Sequence, residues 1–418
     1  MSNTVTKLIM LLGILSFDMV IFFLLRRTFS SLRKRWGTYF DWGYWALSFV
    51  ILGCFYFLDW IFLNISSYSD RKMVISFIAI TLVVKILAAI YLAQDNLIKG
   101  VVKLFKRLIP HKTVKTPAQH EGSGLSRKQF IYRATLMATS LPIAAKGFSI
   151  INQAYDYRIR REKIVLPNLP KAFHGLRIGQ ISDIHSGSFN NKTAVRGGVD
   201  LLLQERLDMI FFTGDLVNRQ SDEIKEYIDV FEKVKAPLGV YSILGNHDYG
   251  EYRSWPSPQA KQQDFKNMLE AHKELGWKLL RNENHILTEG SESLAILGVE
   301  NWGIKRFSKY GNLEEAYAGS EEAAVRLLMS HDPSHWEAKV LDYPDIDMTF
   351  AGHTHGFQFG VELGKFRWSP SQYLYKQWAG LYQQGSQRIY VNRGFGFIGM
   401  PGRVGINPEI TIFELVAG

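Results

Sequence analysis

Cysteine is almost missing from this sequence: Cys54 is the sole thiol among 418 residues. One thiol excludes internal disulfides and every cysteine-rich zinc or iron–sulfur site. Any metal must then rest on oxygen and nitrogen donors. Acidic residues are scarce at the start, where positions 1–163 hold 8 Asp and Glu against 23 Lys and Arg, a net +15. Positions 164–418 hold 31 acidic and 26 basic residues, a net −5. The overall +10 therefore belongs wholly to the N-terminal part. A basic globular face is lacking, and no nucleic-acid partner is expected. Low-complexity and collagen-like composition are also absent: 47% of the residues are hydrophobic and 13% aromatic, as in a folded chain. A length of 418 residues suggests two or three domains.

Long charge-poor runs are what the N-terminal part has instead. Residues 8–25 hold one charge, Asp18; residues 42–63 hold one, Asp59; residues 73–93 hold one, Lys85. A helix crosses a hydrocarbon core of about 30 Å with roughly 20 residues, so each run predicts a transmembrane helix. A fourth run, 130–151, contains Arg133, Pro142 and Lys146 and reads as a further span or as a helix docked at the interface. It follows Ser126-Arg127-Lys128-Gln129-Phe130, which resembles the start of a twin-arginine export signal. Lys and Arg crowd the 26–41 and 94–129 loops, placing both in the cytoplasm and the N-terminus outside. A fourth span then carries the C-terminal part across the membrane; without it that part is cytoplasmic. Residues 97–109 read as a basic amphipathic helix on the anionic inner leaflet. Asp18 and Lys85 read as polar contacts inside a helix bundle rather than as a transport path. The expected organisation is a membrane region over 1–151 with three to four transmembrane helices, a linker over 152–175, and a globular domain over 176–418.

From residue 176 short β-rich runs alternate with helical stretches, the pattern of an α/β domain. Five runs end on side chains able to hold a metal. Residues 176–182 lead to Asp183 and His185, 208–213 to Asp215 and Asn218, and 238–244 to Asn246, His247 and Asp248. Residues 325–330 lead to His331, and 346–351 to His353 and His355. Open α/β sheets place their ligands at the carboxyl ends of strands. Asp, Asn and imidazole suit Mn, Fe or Zn. Asp183, His185, Asp215, Asn246, His331, His353 and His355 make seven donors, enough for two ions sharing a carboxylate. Such a pair stabilises both oxygens of an in-line displacement at phosphorus. A dinucleotide fingerprint over Gly394–Gly399 is set aside, because no βαβ unit surrounds it.

The series Asp-x-His, Gly-Asp-x-x-Asn, Gly-Asn-His-Asp, His, Gly-His-x-His resembles the calcineurin-like metallophosphoesterase superfamily over roughly residues 172–418. The approach at 169–178, Trp378-Ala-Gly-Leu-Tyr382 and Tyr390-Val-Asn-Arg-Gly-Phe-Gly resemble its membrane-associated bacterial branch. That branch includes phosphodiesterases resembling UDP-2,3-diacylglucosamine pyrophosphatase. The resemblance implies a four-layer α/β/β/α sandwich, here preceded by an all-α transmembrane region. It implies two divalent ions, one on Asp183, His185 and His355, the other on Asn246, His331 and His353, with Asp215 bridging. It further implies His247 as the histidine that protonates the leaving group or stabilises the charged phosphorane, oriented by Asp248.

The expected activity is hydrolysis of a phosphate ester or pyrophosphate bond by metal-activated hydroxide. Residues 356–400 are aromatic-rich with interspersed basic side chains, which suits a lipid-linked substrate at the bilayer or a flap packed on the sheet. Arg393 and Arg403 are candidates to hold a phosphate oxygen. The expected location is the inner membrane, multi-pass, with the catalytic domain on the extracytoplasmic side. The competing function is a non-catalytic membrane sensor or scaffold built on the same domain.

Overall fold

The computed structural model describes residues 3–28, 30–56, 85, 153–303, 307, 309–364, 366–399 and 402–418. The chain divides into two compact units, Met1–Leu125 and Ser126–Gly418. In the first, helices α1 (Asn3–Thr28) and α2 (Ser30–Tyr56) fall on the first two apolar runs. Lys85 Nζ donates to both Asp18 carboxylate oxygens at 2.8 and 2.9 Å and to Ser48 Oγ at 2.9 Å. The Tyr44 hydroxyl donates to the Asp18 backbone carbonyl at 3.0 Å. Charges taken out of water need partners, and these two charges satisfy each other. Among the residues with described side chains, no helix is long and apolar enough to cross a membrane; in α1 that run is Leu12–Phe23. The rest of the 73–93 run, the 97–109 helix and the 130–151 run lie outside the described residues.

The second unit holds two six-stranded mixed sheets. The first contains β1 (Arg158–Leu166), β2 (Arg177–Ile181), β3 (Met209–Phe212), β4 (Val240–Ser242) and β5 (Lys278–Leu279). The second contains β6 (Glu283–Glu289), β7 (Glu292–Gly298), β8 (Val325–Met329) and β9 (Met348–Ala351). A separate hairpin, β10 (Val361–Leu363) and β11 (Phe366–Trp368), precedes β12 (Gly380–Gln384) and β13 (Gln387–Val391) of the second sheet and β14 (Glu409–Ala417) of the first. The orders are β1-β14-β2-β3-β4-β5 and β12-β13-β9-β8-β7-β6. Strands β2 to β5 run parallel, as do β7, β8, β9 and β13.

Alternation along the strands builds the layers. In β3, Met209 and Phe211 face the core shared by the two sheets, while Ile210 and Phe212 face α3 (Lys192–Leu203) and α4 (Pro258–Glu274). In β7, Leu294 and Ile296 enter the shared core, while Ala295 and Leu297 pack with Leu313 and Trp336 on the far side. Helices therefore cover both outer faces. Each fully buried Phe or Leu in these layers contributes roughly 1.5–3 kcal/mol. Polar ties cross the shared core: Gln180 Nε2 on β2 donates to the Ala351 carbonyl of β9 at 2.9 Å, and the Tyr390 hydroxyl on β13 donates to Glu409 Oε1 on β14 at 2.7 Å.

The 152–175 stretch corrects its reading as a linker. Strand β1 pairs in parallel with β14 over nine residues, from Arg158↔Glu409 to Leu166↔Ala417. Ile164 and Leu166 enter the shared core, and Phe173 follows them. The folded domain thus begins before residue 176. Five charged residues in Arg158–Leu166 hide the strand in the sequence, and charge is what an edge strand uses to avoid further pairing.

Candidate metal centre

The carboxyl ends of β2, β3, β4, β8 and β9 meet at one place, and the loops that follow them hold the five motifs. The backbone there is strained. Asp183, His185, Asp215, His353 and His355 all have φ between +47° and +70°, the left-handed region that non-glycine residues avoid. Backbone bonds between loops hold them there: the Asp183 N–H donates to the Gly214 carbonyl at 2.8 Å, and the Gly352 N–H to the His331 carbonyl at 3.0 Å. Gly214 adopts φ +95°, and a Cβ at Gly352 would overlap Ser182 Oγ and Asp183 Oδ2. Both positions need glycine, the first for its torsion and the second for space.

Two donor clusters result: Asp183, His185 and His355, and Asp215, His331 and His353. In the first, His355 Nε2 lies 3.0 Å from His185 Nε2 and 3.2 Å from Asp183 Oδ1. In the second, His331 Nε2 lies 3.3 Å from His353 Nδ1. Asp215 Oδ2 sits between the clusters, 3.2 Å from His331 Nε2 and 3.5 Å from His185 Nε2. Asn246 stands beside them with its Nδ2 donating to the Tyr252 hydroxyl at 2.8 Å. Its Oδ1 is buried and without a hydrogen-bond partner, an orphan acceptor that a cation would satisfy.

The ring nitrogens are committed. His185 Nδ1 lies 3.2 Å from the Val217 carbonyl, and His331 Nδ1 lies 2.7 Å from the Thr213 carbonyl. A carbonyl only accepts, so each Nδ1 carries a proton and, in the neutral ring, each Nε2 lone pair faces the centre. Burial takes His185 down to about 3. At His331 burial also disfavours the charge, but the Asp215 carboxylate overrides it and pushes the ring up to about 10. Burial likewise opposes charge on Asp183 and Asp215, yet the neighbouring imidazoles hold both carboxyls below their ordinary range. Two buried carboxylates, one of them holding a proton on His331, form a site where divalent ions would displace that proton. The residues present fit a pair of such ions.

A model of the calcineurin-like phosphoesterase family matches residues 176–357. Over those residues the chain is similar to that family. It is a metal-dependent phosphoester hydrolase, and its two clusters correspond to the two divalent ions the family uses. Among its relatives is the uncharacterized metallophosphoesterase YkuE of Bacillus subtilis, 27% identical over 70% of this chain and 98% of its own length. Another is a Danio rerio transmembrane protein with a metallophosphoesterase domain, 25% identical over 67% of this chain and 62% of that one. A third is the UDP-2,3-diacylglucosamine pyrophosphatase LpxG of Chlamydia trachomatis, 27% identical over 55% of this chain and 81% of that one.

His247 borders the phosphoesterase centre, its ring centroid 5.0 Å from that of His185. Its Nδ1 donates to the Asn218 carbonyl at 2.7 Å, and its backbone N–H donates to Asp215 Oδ1 at 2.8 Å. Asp248 makes no hydrogen bond to the His247 ring. Its carboxylate accepts from the backbone N–H groups of Gly245, Asp215, Leu216 and Val217, at 2.8 to 3.3 Å. Asp248 therefore clamps the loop after β3, and Asn218 at the end of that loop holds the His247 ring. Burial, then the Asp215 charge, pushes the Asp248 carboxyl up to about 7 against the pull of those donors.

Two further residues depart from expectation. Arg393 is 1% exposed, ion-paired to Glu409 and held to Glu362 at 2.6 Å. Arg403 is fully buried and donates to the carbonyls of Arg393, Gly394 and Gly396. Both arginines brace the interior, and Arg403 Nη2 also lies 3.4 Å from His355 Nδ1, against the first cluster. Arg393→Ala would leave Glu362 and Glu409 with Arg160 as their remaining cation, a loss of about 3 kcal/mol, the low end for breaking a buried pair. Its expected signature is a melting temperature lower by roughly 10 °C with KM unchanged in the folded fraction, read by calorimetry and kinetics.

Sequence reasoning missed Tyr252 and Tyr375. The Tyr252 ring stacks on His247 at 4.1 Å between centroids, and the Tyr375 hydroxyl lies 2.8 Å from His353 Nε2. Tyr375 stands in the aromatic run already noted. Tyr252 has no spacing rule that would mark it.

Proposed function

We propose that this phosphoesterase is a multi-pass inner-membrane enzyme acting on a lipid-linked phosphate ester or pyrophosphate at the extracytoplasmic face. One observation carries the catalytic part: Asp215 Oδ2 lies between two donor clusters, with His247 at their edge. In this reading Asp183, His185 and His355 hold one ion, Asn246, His331 and His353 the other, and Asp215 both. Bound there, two divalent ions supply Lewis acidity toward phosphate oxygens and an activated water. The chain's own part is to fix that geometry. Backbone carbonyls of Thr213 and Val217 set the tautomers, Asp248 pins the β3 loop, and Tyr252 turns the Asn246 carbonyl inward. With Nδ1–H held by the Asn218 carbonyl, His247 would carry a second proton on Nε2 only as the imidazolium, and that proton would pass to the departing oxygen.

The apolar runs at 8–25, 42–63, 73–93 and 130–151, with their basic loops, support the membrane anchor and its orientation. Likeness to a lipid pyrophosphatase and to transmembrane metallophosphoesterases supports a lipid-linked substrate. The test is an assay of full-length protein in vesicles with Mn²⁺. Its substrates are bis-p-nitrophenyl phosphate, p-nitrophenyl phosphate, phosphatidic acid and UDP-2,3-diacylglucosamine. Hydrolysis abolished by EDTA, with kcat/KM for a lipid substrate at least tenfold above the soluble esters, is expected. Equal rates on soluble and lipid substrates would remove the lipid part; a C-terminal reporter active only in the cytoplasm would reverse the orientation.

A further inference from the structure

The hairpin β10–β11 is built inside out for a surface in water. Glu362 and Arg367, paired across it, turn toward the protein. Glu362 ion-pairs with Arg160 and Arg393, and an Arg367 Nη donates to the Ala379 carbonyl at 2.8 Å. By strand alternation the opposite face carries Val361, Leu363, Phe366 and Trp368. Leu363 is 70% exposed and Phe366 60%; beside them on the next turn Tyr373 is 73% and Leu374 60% exposed. Phe357 and Phe359 extend the exposed patch toward His355. Elsewhere in this unit exposed large apolar side chains are scattered, as at Val165, Leu203 and Leu238. A contiguous apolar patch of this kind marks an interaction surface.

The patch is held firmly. The Ser369 hydroxyl donates to the Gly356 carbonyl at 2.7 Å, Phe359 meets Trp368 edge to face at 6.3 Å, and Phe359 bridges Val404. Polar bonds thus fix the inner face and leave the apolar face presented. We propose that this face docks on the lipid bilayer, seated at the boundary of headgroups and acyl chains, and brings the metal centre to the membrane surface. The inference rests on the membrane-anchored reading above. Three observations select a bilayer over another occupant. Arg160, the partner of Glu362, lies on β1, the strand the sequence enters within seven residues of the apolar run 130–151. Trp368 and Tyr373, which share a hydrogen bond at 3.4 Å, are the amphipathic aromatics that favour a membrane interface. Lys365 lies between the two strands in sequence, a charge suited to anionic headgroups. Tyr375, two residues beyond Tyr373, touches His353, so a docked hairpin places a lipid headgroup beside the metal ligands.

The test uses the full chain in vesicles of phosphatidylethanolamine and phosphatidylglycerol. In a Cys54→Ser background, Leu363→Cys, Tyr373→Cys and the control Leu203→Cys each carry one nitroxide. At 363 and 373, collisions with lipid-soluble oxygen should exceed those with a water-soluble nickel chelate, by a ratio about tenfold above that at 203. A ratio matching the control overturns the proposal, as does shielding from both reagents, which means that protein covers the face. A second arm uses Leu363→Ser/Phe366→Ser/Leu374→Ser. Hydrolysis of phosphatidic acid or UDP-2,3-diacylglucosamine in vesicles should fall at least tenfold, with kcat/KM for bis-p-nitrophenyl phosphate within twofold of the parent. An unchanged lipid rate, or an equal fall on both substrates, overturns the docking role. If no lipid substrate is turned over at all, the lipid-substrate reading fails while the collision ratios still decide the docking.

Discussion

Asp215→Ala is expected to leave a folded protein that retains at most one metal ion per chain and loses at least 10³-fold in kcat. The carboxylate lies between the two clusters, 3.2 Å from His331 Nε2 and 3.5 Å from His185 Nε2. Removing it takes a shared negative charge from both sites at once, whereas loss of a ligand such as His185 strips one. A single electrostatic stabiliser is worth about 10²–10³ in kcat, and the bridge acts on two sites, so the lower bound is set at the top of that range. Asp215 is a buried carboxylate beside a second one, Asp183, and each tends to raise the other's pKa. Without metal the surrounding imidazoles still hold Asp215 ionised, so its loss leaves a buried, protonated His331 without its counter-charge and the melting temperature in EDTA should fall. Elemental analysis with a melt in EDTA separates the outcomes: a variant that keeps two ions and its activity refutes the bridging assignment.

Sequence reading reached this site because parallel strands deliver ligands at their carboxyl ends. The runs before Asp183, Asp215, Asn246, His331 and His353 are apolar on both faces, as strands between helices and a second sheet must be. That pattern is local, so it is visible without a structure. What was hidden depended on distant partners. Strand β1 reads as charged linker because its neighbour, β14, is some 250 positions away in the chain. Arg393 looks like a surface anchor until Glu362, far upstream, is seen to close on it. Asp248 invited pairing with adjacent His247, but the short 3₁₀ turn Asn246–Tyr249 directs its carboxylate back under the β3 loop. Adjacency in sequence was the wrong guide there, because a helical turn sends successive side chains in different directions.

His247→Ala separates the ligands from the proton donor. His247 contributes no atom to either cluster, so two ions per chain should remain while kcat falls by about 10²–10⁴, the usual worth of a general acid or base. Its Nδ1 proton is held by the Asn218 carbonyl, which leaves Nε2 alone to serve the reacting oxygens. Truncation costs the stack on Tyr252 and the bond to the Asn218 carbonyl, and the Asp215 bond survives because it is made by the backbone. The size of the loss should depend on the leaving group. Nitrophenolate departs readily without a proton, whereas an alkoxide needs one, so a dialkyl phosphodiester should lose far more than bis-p-nitrophenyl phosphate. A loss equal for both substrates would assign His247 to stabilising charge on phosphorus instead of protonating the leaving oxygen. An unchanged kcat for both would remove it from the reaction.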